Sequence, residues 1–316
     1  MLIGRAGADR TRVCDDSRVD GVVSIERPTG FGASVVVGLT ADRACEPDVA
    51  ERVRQALWIS GVVVIRLSAP LDDPSARSIA STFGAIKDPI GRARDGRALR
   101  YAEDRQVMDS GFVLTDELRE QLGDVSFGGD DRRPGLFQAF HTDDTFAEAP
   151  AAASVLHARQ LPSGRGGDTR FLDMRGAYEL LDDATREEID GLRVVYAYDN
   201  GGAFPPRPAS TGPLSELVEV THPLVRHHPV IGTPALYVDL DRATHVEGLP
   251  VAEGRALLQS LQDHAERVAP RYSHAWEPHD VLVWDNASVQ HAAAGDFAVG
   301  EPRRFWRYLI DGPVPV

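Results

Sequence analysis

Three side chains in this sequence could hold a metal. His141 and Asp143 stand at i and i+2 within Phe140-His141-Thr142-Asp143-Asp144-Thr145-Phe146, and His291 closes Trp284-Asp285-Asn286-Ala287-Ser288-Val289-Gln290-His291. On an extended strand, residues two apart share a face, so an imidazole nitrogen and a carboxylate oxygen could approach one ion from one side. Two imidazoles and one carboxylate, with half the coordination sphere open, suit an Fe(II) ion that must also take a chelating acid and O2. Such a site keeps a formal charge of about +1, which favours an incoming anion. A lone His-x-Asp is weak evidence, because an isolated histidine is more often a hydrogen-bonded core residue; the second stretch gives the first its weight.

Two further motifs join these. Gly166-Gly167-Asp168-Thr169 lies between the two stretches, and Arg303 and Arg307 follow them. In this order the motifs resemble the taurine dioxygenase/2,4-D dioxygenase family of Fe(II)- and 2-oxoglutarate-dependent oxygenases, with a likeness running from about Gly32 to Gly312. The resemblance implies Fe(II) on His141, Asp143 and His291, 2-oxoglutarate as cosubstrate and O2 as oxidant. It puts Arg303 and Thr169 on the distal carboxylate of 2-oxoglutarate, a task for which a guanidinium is fitted by its bidentate pairing. Arg307 falls on the substrate-facing position, and Tyr198 and Tyr237 fall by position on the pocket wall.

The reaction so implied oxidises, most simply hydroxylates, an aliphatic C–H of a small anionic substrate such as an amino-acid derivative or natural-product intermediate, releasing succinate and CO2. Desaturation or oxidative rearrangement would use the same site. No catalytic residue beyond the ligands is expected, because the cofactor carries the hard chemistry. One departure bears on the substrate: Phe83-Gly84-Ala85-Ile86-Lys87-Asp88-Pro89 has no histidine where the taurine enzymes place their sulfonate-binding one. A small acid other than taurine is expected. Arg303 and Arg304 are neighbours, so on a strand only one can face inward. The four-residue spacing favours Arg303 with Arg307, and Arg304 is the alternative. Two readings of other classes use the same residues, a catalytically silent binding module and a zinc hydrolase. The first should have lost a ligand or the cosubstrate arginine, and the arginine–threonine pair argues against the second.

Composition narrows the partners. With 48 Asp and Glu against 34 Lys and Arg, the chain carries a formal charge of −14, unlike the basic footprint of a nucleic-acid binder or of a protein that docks on an anionic membrane. A small-molecule partner is expected, with no nucleic acid and no membrane; self-association as a homo-oligomer is left open. Cys14 and Cys45 have no metal-like spacing and read as free thiols. Residues 1–20 are charged and lack the apolar core of a signal peptide, so a cytoplasmic protein is expected. The other eight histidines, among them His157, His222, His227, His228 and His279, read as packing or surface residues.

The elements that must position these groups follow from periodicity. Residues 1–25 lack periodicity and read as a disordered tail, with order expected from about Gly32 in one catalytic domain spanning 26–316. Val49, Val53, Ala56 and Leu57 at helical spacing predict a helix over 48–58, and Val62 to Ile65 a buried strand. Helices are expected near 73–79, 116–122, 174–181, 184–192 and 251–268. Strands are expected near 34–37, 151–158, 194–198, 224–227, 235–238, 281–284 and 305–310. Segments 87–135 and 199–216 are rich in Gly and Pro and read as lids over the site. Mainly β structure with outer helices suits a double-stranded β-helix, a jelly-roll or cupin-like core.

Overall fold

The computed structural model describes residues 23–88, 106–122, 124–126, 132–134, 139–198 and 219–316. The strands run in chain order as β1 (Ser24–Glu26), β2 (Ser34–Leu39), β3 (Val62–Leu67), β4 (Met108–Val113), β5 (Asp124–Ser126) and β6 (Arg132–Pro134). There follow β7 (Ala153–Gln160), β8 (Thr169–Asp173), β9 (Arg193–Tyr196), β10 (Val220–Pro223), β11 (Val225–His227) and β12 (Pro234–Leu236). The last are β13 (Ala243–Val246), β14 (Arg271–His274), β15 (Asp280–Asp285), β16 (Val289–Ala293) and β17 (Pro302–Ile310). The helices are α1 (Ala41–Ala44), α2 (Pro47–Ser60), α3 (Asp73–Ser81), α4 (Asp116–Leu122), α5 (Met174–Glu179), α6 (Asp183–Ile189) and α7 (Val251–Val268).

A seven-stranded sheet in the order β1-β2-β3-β15-β7-β17-β4 forms one layer, and a three-stranded sheet β14-β8-β16 faces it. Only β2 and β3 pair in parallel within the larger sheet. The apolar runs in β3 and β15 are continuous because both of their faces are covered. Val62, Val64, Leu282 and Trp284 point to the interior with Leu156 and Phe305, and there they meet Phe171 of β8 and Val289 of β16. Val63, Ile65, Val281 and Val283 point the other way, against Val49, Val53, Ala56 and Leu57 of α2 and Ile79 of α3. Ile79 is fully buried in that layer, so truncation to alanine would cost about 2–5 kcal/mol. A third cluster packs α5 and α7 on β9, through Ala177, Leu258, Leu261, Val194 and Tyr196.

Local chemistry sets the element ends. Pro47 opens α2 at its first turn, where a missing N–H costs nothing. Gly61 closes it at φ 75, where a Cβ would stand 2.9 Å from Val289 Cγ1. The Gly61 carbonyl then accepts from Asp285 N at 2.9 Å, tying the helix end to the end of β15.

Several expectations are corrected. Order begins before Gly32: Val23 is buried, and β1 pairs with β2 from Ser24 opposite Val37. Within the expected lid 87–135, residues 89–105, 123, 127–131 and 135 lie outside the described residues. Much of the rest is regular, since β4 pairs along β17 and α4 is anchored by Arg119 Nη1 donating to Gly295 O at 2.8 Å. The expected lid 199–216 lies outside the described residues. Helix α7 covers 251–268 as expected, whereas β1, β4, β5, β6, β8, β10, β13, β14 and β16 are not among the expected strands. Among the described residues, no helix is long and apolar enough to cross a membrane.

Candidate metal centre

His291 lies on β16, opposite Phe171 of β8. On its other side it exchanges two backbone hydrogen bonds with His141, at 3.1 and 2.9 Å. This contact is an isolated bridge, so His141 is not on a strand, and the strand geometry expected for His141 and Asp143 is corrected. The chain turns straight after the bridge, with Asp144 at φ 58 and Ala147 N donating to Asp144 O at 2.8 Å. Asp143 stands just before this left-handed residue, with its carboxylate beside both imidazoles.

The ligand atoms of His141, Asp143 and His291 lie within 4.8 Å of one another, and all three residues are buried. Asp143 Oδ1 stands 3.8 Å from His141 Nε2 and 3.7 Å from His291 Nε2. His141 Nδ1 meets the Ala139 carbonyl at 2.9 Å, which commits its proton there and turns the Nε2 lone pair inward. Burial, aided by the neighbouring His291, lowers His141 to about 3, and burial likewise lowers His291 to about 4. Both rings are therefore neutral at pH 7, and the two approaches to Asp143 are not salt bridges. Burial disfavours the Asp143 charge, but Arg307, the two imidazoles and the Ser154 hydroxyl outweigh it and hold the carboxyl well below its usual range. Three acceptors thus converge with no proton of their own to share, a donor set that fits a divalent cation.

The carboxylate is aimed by a chain of hydrogen bonds. Trp284 Nε1 donates to Asn286 Oδ1 at 3.1 Å, Asn286 Nδ2 donates to Ser154 Oγ at 3.1 Å, and Ser154 donates to Asp143 Oδ2 at 2.5 Å. Oδ1 is left to face the imidazoles, where it also receives Arg307 Nη2. Asp285 holds the turn between β15 and β16, accepting from Ala287 N at 2.8 Å and pairing with His228 Nε2 at 2.9 Å. The Trp284 ring lies 4.5 Å from that of His291. Ser154 had no sequence signal, since a serine in an alanine-rich strand is unremarkable until its register is known.

Arg303, Phe305 and Arg307 share the inner face of β17, while Arg304 is exposed and bound to Asp109. Arg303 is buried; its Nε donates to Gly167 O at 2.7 Å and its Nη2 to Thr169 Oγ1 at 3.0 Å. Among the described residues no carboxylate pairs with it directly, and burial pushes it down to about 10, still a full cation at neutral pH. Thr169 Oγ1 also accepts from Trp276 Nε1 at 3.1 Å. With both lone pairs taken, the hydroxyl proton must be donated outward. The glycines before Thr169 let the chain pass close to its neighbours: at Gly166, φ 101, a Cβ would lie 2.2 Å from Asp296 O, and at Gly167, φ 74, one would lie 3.4 Å from Arg303 Cδ. Trp276 is a second residue that the sequence reading did not find.

Tyr237 and Tyr198, the other residues expected at the wall, are held by separate aromatic contacts. Tyr237 is buried, with the Arg226 guanidinium 4.7 Å from its ring centre and Tyr196 alongside; burial and the nearby Asp239 and Asp144 raise its phenol despite Arg226. Tyr198 stands edge-on to Phe146, with ring centres 5.0 Å apart. Of the remaining histidines, His222 is buried on the Ala147 carbonyl at 2.9 Å, His227 is exposed, and His157 is buried.

The family model described as "Taurine catabolism dioxygenase TauD, TfdA family" matches residues 24–309. The chain is 31% identical over 261 residues to the alpha-ketoglutarate-dependent 2,4-dichlorophenoxyacetate dioxygenase of Burkholderia sp. (strain RASC), covering 81% of this chain and 84% of that protein. Its backbone is similar to a taurine dioxygenase from Burkholderia xenovorans, with a TM-score of 0.72, 26% identity, and 93% and 91% of the two chains covered. It is similar also to AAD-2 solved with Mn(II) and N-oxalylglycine, with a TM-score of 0.70, 26% identity, and 93% and 99% covered.

Proposed function

This chain belongs to the TauD/TfdA dioxygenase family, and from that premise we propose that it oxidises an aliphatic C–H of a small anionic molecule at the centre formed by His141, Asp143 and His291. The enzyme is an Fe(II)- and 2-oxoglutarate-dependent dioxygenase, an oxidoreductase that uses O2. His141, Asp143 and His291 hold the iron. Arg303 and Thr169 hold the distal carboxylate of 2-oxoglutarate, the guanidinium by charge and the threonine by its outward proton. Arg307, which pairs with Asp143 here, would be free to meet the acid group of the substrate once Asp143 serves a metal. Tyr198 and Tyr237 complete the wall on that side. We read the two facing sheets as the layers of a double-stranded β-helix, which gives the centre a rigid, half-open mouth.

Bound there, Fe(II) and 2-oxoglutarate supply the oxidation by O2 with release of succinate and CO2; hydroxylation is the simplest outcome, and desaturation or rearrangement needs no other residues. The protein's part is to orient and to keep water out, and no side chain is assigned as a general base. The observation that carries this reading is the convergence of three unprotonated ligand atoms in a buried space next to an inward arginine. Anaerobic addition of Fe(II) and 2-oxoglutarate should give a weak visible charge-transfer band, which His141→Ala removes together with succinate formation. A colourless protein with tightly held zinc, or iron-dependent turnover that survives His141→Ala, contradicts it.

A further inference from the structure

The loop that carries Gly166 and Gly167 has little conformational preference of its own. Both residues lie at positive φ, 101 and 74, and glycine takes such angles about as readily as negative ones, so the shape must be imposed by neighbours. Gly167 O accepts from Arg303 Nε at 2.7 Å, and the placing of that guanidinium therefore follows the loop. Downstream the chain is tied by Ala294 N donating to Asp168 O at 2.9 Å and by Ser273 Oγ donating to Asp168 Oδ2 at 2.7 Å. Upstream the tie is Asp296, whose side chain is 8% exposed. Its Oδ1 accepts from Gly167 N at 2.8 Å, and its Oδ2 from Nη2 of the buried Arg170 at 3.1 Å. Asp296 is held in turn from α4. The Arg119 guanidinium donates through Nη1 to Gly295 O at 2.8 Å and through Nη2 to Phe297 O, gripping the carbonyl on each side of Asp296. The Phe297 ring packs on Phe112 of β4, with ring centres 5.5 Å apart.

We propose that Asp296 and Arg119 are positioning residues for 2-oxoglutarate: Arg119 fixes the 295–297 loop, Asp296 fixes Gly167, and Gly167 fixes the Arg303 guanidinium for the distal carboxylate. The inference rests on the preceding reading that Arg303 and Thr169 hold that carboxylate. Each link is a hydrogen bond between groups far apart in sequence, so the loss of one loosens those after it. An arginine already fixed loses little freedom when it pairs; one on a slack loop must be ordered at the moment of binding, and affinity falls. The loss is confined to ligands that reach Arg303. The charge of Asp296 by itself works against an incoming anion, so only a positioning role makes its removal weaken binding. By this route α4 is coupled to cosubstrate affinity.

The test titrates the anaerobic Fe(II) form of the full chain with 2-oxoglutarate and with 2-oxobutyrate, which lacks the distal carboxylate, reading the charge-transfer band so that no turnover is needed. Asp296→Ala should weaken 2-oxoglutarate about tenfold and Arg119→Gln about threefold, and both should bind 2-oxobutyrate as the wild type does. Asp296→Asn, whose amide oxygen can still accept from Gly167 N, should retain most of the wild-type affinity, the rescue that a geometric role requires. In an Arg303→Gln background, Asp296→Ala and Arg119→Gln should have no further effect. Arg119→Gln, on a partly exposed helix, keeps the test decisive if Asp296→Ala does not fold. Wild-type affinity for 2-oxoglutarate in Arg119→Gln or in a folded Asp296→Ala overturns the proposal. So does an equal loss for 2-oxobutyrate, a loss in Asp296→Asn as large as in Asp296→Ala, or full additivity with Arg303→Gln. If Arg303→Gln itself binds 2-oxoglutarate as the wild type does, the parent reading fails instead.

Discussion

Replacing Arg303 by glutamine separates cosubstrate recognition from metal binding. The Arg303 guanidinium is fixed before any ligand arrives, by Gly167 O at 2.7 Å and Thr169 Oγ1 at 3.0 Å, so little ordering cost is left for binding. Arg303→Gln then removes charge-assisted hydrogen bonds worth about 1.5–3 kcal/mol, which raises the dissociation constant of 2-oxoglutarate about 10- to 150-fold. Titration of the anaerobic Fe(II) protein by its charge-transfer band measures this directly. 2-Oxobutyrate, which lacks the distal carboxylate, should bind both proteins alike. Thermal unfolding gives an independent reading. A ligand at a hundred times its wild-type dissociation constant stabilises by about 2.7 kcal/mol, and by only about 0.9 kcal/mol after a thirtyfold loss. Arg304→Gln, at the exposed neighbour bound to Asp109, should leave all of these values unchanged. If Arg304→Gln produces the loss instead, or Arg303→Gln weakens 2-oxobutyrate equally, the assigned role of Arg303 is wrong.

Trp276→Phe removes one donor to Thr169 Oγ1 and lets the hydroxyl proton turn away, so 2-oxoglutarate should bind about 3- to 10-fold more weakly. That effect should vanish in a Thr169→Val background, and full additivity of the two changes counts against it. Ser154→Ala frees Asp143 Oδ2 and should weaken iron binding about tenfold in a chelator competition, with N-oxalylglycine affinity of the metal-loaded form nearly unchanged. Away from the centre, burial disfavours the Asp280 charge, but His274 and Arg66 hold the carboxyl below its ordinary value. Its stabilisation is therefore complete above the unfolded value and is lost as pH falls through the lower folded one. Asp280→Asn should cost about 1.5–3 kcal/mol at neutral pH by urea unfolding. A cost that stays the same well below the folded value removes the linkage.

Much of the architecture could be read without coordinates because it is written in local periodicity. Helix α7, the core of α2 and the apolar run of β3 each declare themselves, since burial on one face or on both leaves a pattern within a few residues. The residues of the candidate site were legible too, because metal ligation admits few residue types, and the fold brings His141, Asp143 and His291 together and sets Arg303 on Thr169. What the chain alone could not settle depended on register and on a turn. Whether Arg303 or Arg304 faces inward rests on how β17 aligns with β7 and β4, a pairing between segments far apart in sequence. His141 and Asp143 meet through a bridge to His291 and a left-handed residue, not along a strand, which spacing by itself cannot distinguish. Ser154, Trp276, Arg119 and Asp296 are ordinary residues whose roles come from neighbours brought in by the fold. Residue type limits which chemistry a chain can do, but the partners that aim each lone pair and proton are long-range contacts, and only the folded structure supplies them.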